Sequence, residues 1–228
     1  KLKLLLQSSE EVHLDLDADI DEFERVNNIL LHSGQRKAIK TAIEQGVVII
    51  TGGPGTGKTT IIKAILKILT ARGKQVQLLA PTGRASKRME EQTGKSASTI
   101  HRGLEMGYTN GKLGYTRNEN NPLDADAIIV DEVSMIDLYV ASALLKATRL
   151  GTKLVFVGDK DQLMSVGAGN VLADMIASGE IPVVELSQIY RQAEDSKIIV
   201  NAHLINDGEM PDLAAKSNDF FYSSSFVP

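Results

Sequence analysis

The run Gly52-Gly53-Pro54-Gly55-Thr56-Gly57-Lys58-Thr59-Thr60 sets glycines, a lysine and threonines at a spacing that can hold a polyphosphate. Glycines let backbone N–H groups turn inward around phosphate oxygens, and a helix starting at the lysine brings its positive dipole end to the same place. Lys58 would reach the terminal phosphates as a charge on a flexible stem, while the Thr59 hydroxyl would ligate Mg2+. Further along, Ile128-Ile129-Val130-Asp131-Glu132 ends an apolar run in two carboxylates. Hydrolysis of a nucleoside triphosphate needs one carboxylate to hold the cation, here Asp131 through water, and one to act as general base, here Glu132. A third polar group, Gln162, follows Leu154-Val155-Phe156-Val157-Gly158 in a loop where its amide could touch a γ-phosphate. Taken singly, these are also a glycine-rich turn, an acidic helix start and a solvated loop glutamine. Together and in order they favour a nucleotide site.

Such groups converge only if the elements carrying them share a sheet edge. Candidate strands are Val47 to Thr51, Val76 to Ala80, Ala127 to Asp131, Leu154 to Gly158 and Val183 to Leu186. They are continuous Val/Ile/Leu runs alternating with helical patterns, which is how a parallel sheet covered on both faces reads. Between the first two, Ile61, Ile62, Ile65, Leu66 and Leu69 recur at helical spacing and Gly73 supplies a cap. Ahead of them, Ser33 is placed to cap a helix from about Gly34 to Gln45, ended by Gly46. The fold class is α/β, and ligands of such sheets bind beyond the carboxyl ends of the strands. From Gly103 to Asn121 the chain turns polar and glycine-rich, with Asn110-Gly111 as a turn signal inside a small hairpin insertion. Val12, Leu14, Leu16, Ala18 and Ile20 alternate as in a strand, yet from Asp19 onward a helix with Ile20, Phe23, Ile29 and Leu30 is equally arguable.

With 228 residues and 43% hydrophobic content, one principal domain is expected. The absence of cysteine excludes disulfides and thiolate metal sites and suits a cytoplasmic setting. No apolar run has spanning length, so no membrane partner is expected. A net charge of −4 confines any polyanion contact to a local groove.

The phosphate loop, Asp131-Glu132-Val133-Ser134-Met135, Gly158-Asp159-Lys160-Asp161-Gln162-Leu163 and Leu186-Ser187-Gln188-Ile189-Tyr190-Arg191-Gln192 stand in the order of superfamily-one helicase motifs. From about Leu31 to Pro211 the chain resembles the RecD/TraA type, the exodeoxyribonuclease V alpha-like helicases. It shares their stretches Ala80-Pro81-Thr82-Gly83-Arg84-Ala85, Ser98-Thr99-Ile100-His101-Arg102 and Val200-Asn201-Ala202-His203. The resemblance implies a RecA-like motor domain over residues 33–211 with the hairpin at about 103–121. Residues 1–32 would be a lead-in, and 212–228 a tail toward a second RecA-like domain that the sequence lacks. It implies ATP and Mg2+ as ligands, held by Gly53, Pro54, Gly55, Thr56, Gly57, Lys58, Thr59 and Thr60, with Thr59 and Asp131 on the metal. Gln35 would read the adenine edge, and Arg191 would meet charge developing on the γ-phosphate. Pro81, Thr82 and Arg84 with Thr99, Ile100 and His101 would line a channel for single-stranded DNA, with Lys87 and Arg88 adding positive charge. Aromatic content of 4% makes stacking platforms scarce. The implied activity is ATP-driven movement 5′ to 3′ and unwinding at a single-strand/duplex junction, alone or with nuclease and helicase subunits. Residue chemistry by itself fixes neither polarity nor DNA over RNA. Other readings are an NTPase of another class, though no Asn-Lys-x-Asp guanine element is present, or a nucleic-acid-binding module without unwinding activity.

Overall fold

The computed structural model describes residues 1–7, 15–109, 112–188, 196–213 and 217–223. Six parallel strands form the main sheet: β1 (Val47–Gly52), β2 (Val76–Ala80), β3 (Ala97–Thr99), β6 (Ala127–Val130), β7 (Lys153–Gly158) and β8 (Val183–Leu186). Their spatial order is β3-β2-β6-β7-β1-β8. β1 therefore lies between β7, with Val47 opposite Leu154, and β8, with Ile49 opposite Val183. All six residues of β1 are buried, as a strand covered on both faces requires. Its side chains alternate between two cores. Val48 and Ile50 join α2 (Leu16–Asn27), α3 (Ser33–Glu44), α4 (Lys58–Ala71) and α5 (Gly83–Thr93) on one face. On the other face Val47 and Ile49 join α1 (Leu2–Gln7), α6 (Ile100–Gly103), α7 (Leu138–Ala147) and α8 (Val171–Ala177). A last helix, α9 (Lys197–Asn206), follows β8. Among the described residues, no helix is long and apolar enough to cross a membrane.

Four readings of the sequence are refined here. The alternation across Leu16 to Ile20 belongs to a helix, while Val12 and Leu14 lie outside the described residues. Asp15 caps it by accepting from the Ala18 N–H at 3.1 Å, and Asp17 and Asp19 sit in the first turn against the helix dipole. Leu16, Ile20 and Phe23 bury at helical spacing, and Arg36 of α3 ties Asp17, Asp21 and Glu24 to the sheet-covering helices. Ser33 is the first residue of α3 and His32 holds the cap position, where its N–H donates to the Gln35 Oε1 at 3.0 Å. β3, three residues of Ala-Ser-Thr, is too short and too polar to announce itself by pattern. Gly73 does close α4, in left-handed conformation (φ +73°), with the Lys74 N–H returning to the Leu69 carbonyl.

The insertion is an antiparallel hairpin of β4 (Met106–Thr109) and β5 (Lys112–Tyr115), with Tyr108 opposite Leu113 and both exposed. Asn110 and Gly111, which join the strands, lie outside the described residues.

Candidate active site

β1 runs into the glycine-rich loop and α4 leaves it at Lys58, so the loop wraps the helix start at the carboxyl edge of the sheet. Gly57 takes φ +81° at the helix cap, a conformation that strains any residue with a Cβ. The Thr56 hydroxyl donates to the Gly53 carbonyl at 2.8 Å, and Lys58 Nζ donates to the Gly52 and Gly53 carbonyls at 2.6 and 2.9 Å. The ammonium is thus folded back along the loop it would serve. Burial holds its pKa below the usual lysine value, against the opposing pull of Asp159, Glu132 and Asp131.

The two carboxylates end β6, two strands from β1. Asp131 accepts from the Glu132 N–H at 2.9 Å, yet its pKa is pushed up to about 6 by burial first and by the neighbouring Glu132 charge second. Glu132 takes φ +54°, which costs a non-glycine residue about 1 kcal/mol or more. Its Oε2 is buried without a hydrogen-bond partner. A strained, unpartnered carboxylate beside one that resists ionising stores electrostatic free energy that a bound cation or polar ligand would release.

These groups share a cleft of about 620 Å³ lined by Pro54 to Thr60, Arg88, Asp131, Glu132, Gln162 and the apolar Ile29 and Ile199. Gln162 enters from the loop after β7, which Thr51 of β1 pins by accepting from the Lys160 N–H at 3.0 Å. Arg88, expected only to add positive charge near the strand channel, also lines this cleft from α5 and acts on both Lys58 and Asp131. Its spacing from Arg84 on one helix gave no sign of that.

A smaller pocket of about 150 Å³ lies beside the loop, lined by His32, Gln35, Thr56, Leu186 and Gln188 among others. Gln35 is 3% exposed, and besides accepting from His32 it donates to the Thr56 carbonyl at 3.1 Å. Its amide already ties α3 to the phosphate loop and has one lone pair and one N–H left for a base edge. Arg191 lies outside the described residues.

The segments assigned to a nucleic-acid channel meet at the same sheet edge, because β2 and β3 pair with Ala80 opposite Thr99. The hydroxyls of Thr82 and Thr99 accept from the Ala85 and Arg102 N–H groups as helix caps, which leaves each O–H able to donate outward. Pro81 is half-buried and Arg84 exposed. Ile100 needs correction: its side chain is 0% exposed and packs in the core, so only its backbone is available to a polymer. His101 starts an aromatic row that the sequence did not reveal, with its ring centroid 6.0 Å from Tyr115 of β5, itself 5.8 Å from Tyr139 of α7. The three rings come from three separate elements, so no local pattern could have grouped them.

A family model described as an AAA domain matches residues 30–221. The chain is 44% identical over 165 residues to the ATP-dependent RecD2 DNA helicase of Deinococcus radiodurans, covering 72% of this chain and 22% of that protein. It is 38% identical over 199 residues to the RecBCD enzyme subunit RecD of Mycolicibacterium smegmatis, covering 77% and 36% respectively. The chain therefore spans between about a fifth and a third of the length of these relatives. Among solved structures, the Pif1 helicase of Candida albicans superposes with a TM-score of 0.54 at 26% identity, over 81% of this chain and 46% of that one.

Proposed function

We propose, from the premise that the chain belongs to the AAA domain family, that it is the ATP-hydrolysing motor domain of a RecD-type DNA helicase. The observation that carries this reading is the convergence of Lys58 and Thr59, Asp131 and Glu132, and Gln162 from three different strand ends on one cleft. RecA-like architecture and relatives that are helicases by name support the same conclusion.

In this reading the loop from Gly53 to Thr60 binds the phosphates of ATP, with Lys58 moving from the loop carbonyls to the terminal phosphates. Gln35 offers its remaining donor and acceptor to adenine from the smaller pocket. Mg2+ fits the site, since an unpartnered carboxylate and one driven toward neutrality await a positive charge. Thr59 and Asp131 would hold it, and its charge would offset that of the phosphates. Phosphate and water would supply most of its other ligands. Glu132 orients and deprotonates the attacking water, a contribution of about 10²–10⁴-fold. Arg88 and Arg191 stabilise charge on the transferring group, and Gln162 couples it to the strand.

The strand lies across Pro81, Thr82, Arg84, Thr99 and His101 through phosphate contacts that carry no sequence information. The motor core runs over 33–211, with the hairpin as the wedge at the single-strand/duplex junction and a second RecA-like domain of the same polypeptide closing the cleft. Nuclease or helicase subunits are candidate partners. The test uses the intact polypeptide on duplexes with either a 5′ or a 3′ single-stranded tail. Displacement from the 5′-tailed duplex alone, lost in Lys58→Ala, is expected. Displacement from the 3′ tail alone would overturn the RecD assignment, and hydrolysis indifferent to DNA would overturn the helicase reading.

A further inference from the structure

The phosphate loop has two sides. One faces the cleft of Lys58, Asp131 and Glu132, and the other faces a second cavity of about 550 Å³ whose wall includes Gly53, Pro54, Asp159 and His203. His203 projects from α9 across that cavity, and its Nε2 lies 3.1 Å from the Pro54 carbonyl oxygen. The ring also rests against the backbone of Gly53, where an added Cβ would stand 2.6 Å from the His203 Cε1. A side chain at Gly53 would therefore collide with the imidazole as it lies in this structure.

We infer that His203 is a positioning residue of the phosphate loop, holding the Pro54 carbonyl on the outer side so that the next N–H, that of Gly55, is turned into the phosphate cleft. The step rests on peptide geometry. Across a trans peptide the C=O and the following N–H point in opposite directions, and no cis peptide occurs among the described residues. Fixing one fixes the other. A carbonyl can only accept, so the ring must carry its proton on Nε2. Without a donor the Pro54–Gly55 peptide could flip and offer its oxygen to the phosphates instead, a repulsive arrangement.

The ring is held from behind. Asn201, two residues before it on α9 and so on the opposite side of the helix, is 3% exposed and brackets the Asp212 backbone, accepting from its N–H at 2.9 Å and donating to its carbonyl at 3.4 Å. At the start of α9, Ser196 accepts from the Ile199 N–H and donates to Asp219.

The inference rests on the reading of the loop as a phosphate site, and the experiment separates the two. Mg-ADP binding is measured by calorimetry on this chain for the wild type, Lys58→Ala, His203→Met and His203→Gln, with thermal denaturation as a check on folding. Methionine and glutamine share length and flexibility, but only glutamine carries an N–H near the position of Nε2. His203→Met should weaken binding about three- to tenfold, the size of one lost hydrogen bond. His203→Gln should recover to within about twofold of wild type. In the intact polypeptide the loss should appear in KM for ATP, with kcat held to within about twofold. If both His203 variants bind as wild type does, or both are weakened alike, the positioning role is wrong. Gly53→Ala gives an independent check because its methyl displaces the ring: it should match His203→Met, and the double variant should be no worse than either single. Multiplying losses would overturn the inference. Binding unaffected by Lys58→Ala, or absent from the wild type, would sink the phosphate-site reading itself.

Discussion

Replacing Asp131 by Asn should stabilise the ligand-free protein while abolishing its chemistry. The carboxyl is raised from an ordinary value of 3.8 to about 6, chiefly by burial and next by Glu132. Each unit is worth about 1.4 kcal/mol, so the ionised form costs the fold about 3 kcal/mol relative to the unfolded chain. The sign follows from proton counting. Between pH 4 and 6 the folded state binds more protons than the unfolded one, so stability is present below about pH 4 and lost as pH rises through 6. Asparagine removes the charge but keeps an oxygen for the Glu132 N–H that Asp131 now accepts at 2.9 Å. A gain of about 1–3 kcal/mol is expected at pH 7.5, a rise in Tm of roughly 3–10 °C for a domain of this size. Urea and thermal unfolding without nucleotide, at pH 4.5 and 7.5, measure it. The gain should fall to about a third of that at pH 4.5. Equal effects at both values, or destabilisation at pH 7.5, would refute the claim that the cleft stores unfavourable charge.

Three other outcomes follow from the same cleft and its neighbours. Glu132→Gln should keep Mg-ADP affinity within a few-fold while lowering hydrolysis by at least about 10², as measured by single-turnover phosphate release. Arg88→Met should weaken Mg-ATP binding about three- to tenfold, the size of one charge-assisted contact; unchanged nucleotide affinity with weakened binding of single-stranded DNA would return Arg88 to the strand-contact role. Replacing residues 106–115 by a short linker in the intact polypeptide should spare DNA-stimulated hydrolysis and abolish strand separation, and equal loss of both would count against the hairpin as a wedge.

The strands that lead to Lys58, Asp131 and Gln162 were legible because buried parallel strands are long apolar runs, and because polar residues just beyond their ends stand out against them. What escaped was tertiary. Arg84 and Arg88 lie about one turn apart on the same exposed face of α5, yet Arg88 lines the cleft and Arg84 does not, a difference set by position along α5 relative to the phosphate loop. Ile100 sits within a motif that suggests contact, but the short α6 turns it into the core. Gln35 was identified by resemblance, whereas its bond to the Thr56 carbonyl links positions 21 apart and no local pattern encodes that. The role of Gly53 beside His203 depends on two segments separated by about 150 residues.

The strand order has a consequence for how the chain is made. β1 leaves the ribosome well before its partners β7 and β8, which lie roughly a hundred or more residues later in the chain. At synthesis rates of about 5–20 residues per second, a six-residue strand that is wholly buried in the fold waits roughly 5–20 s for its first neighbour. During that interval helices such as α1, α3 and α4 can shield its faces, but its strand edges stay unpaired. The nascent chain thus passes through a stage in which its central strand has unpaired edges, and the phosphate cleft stays incomplete until the loop after β7 that carries Gln162 is made.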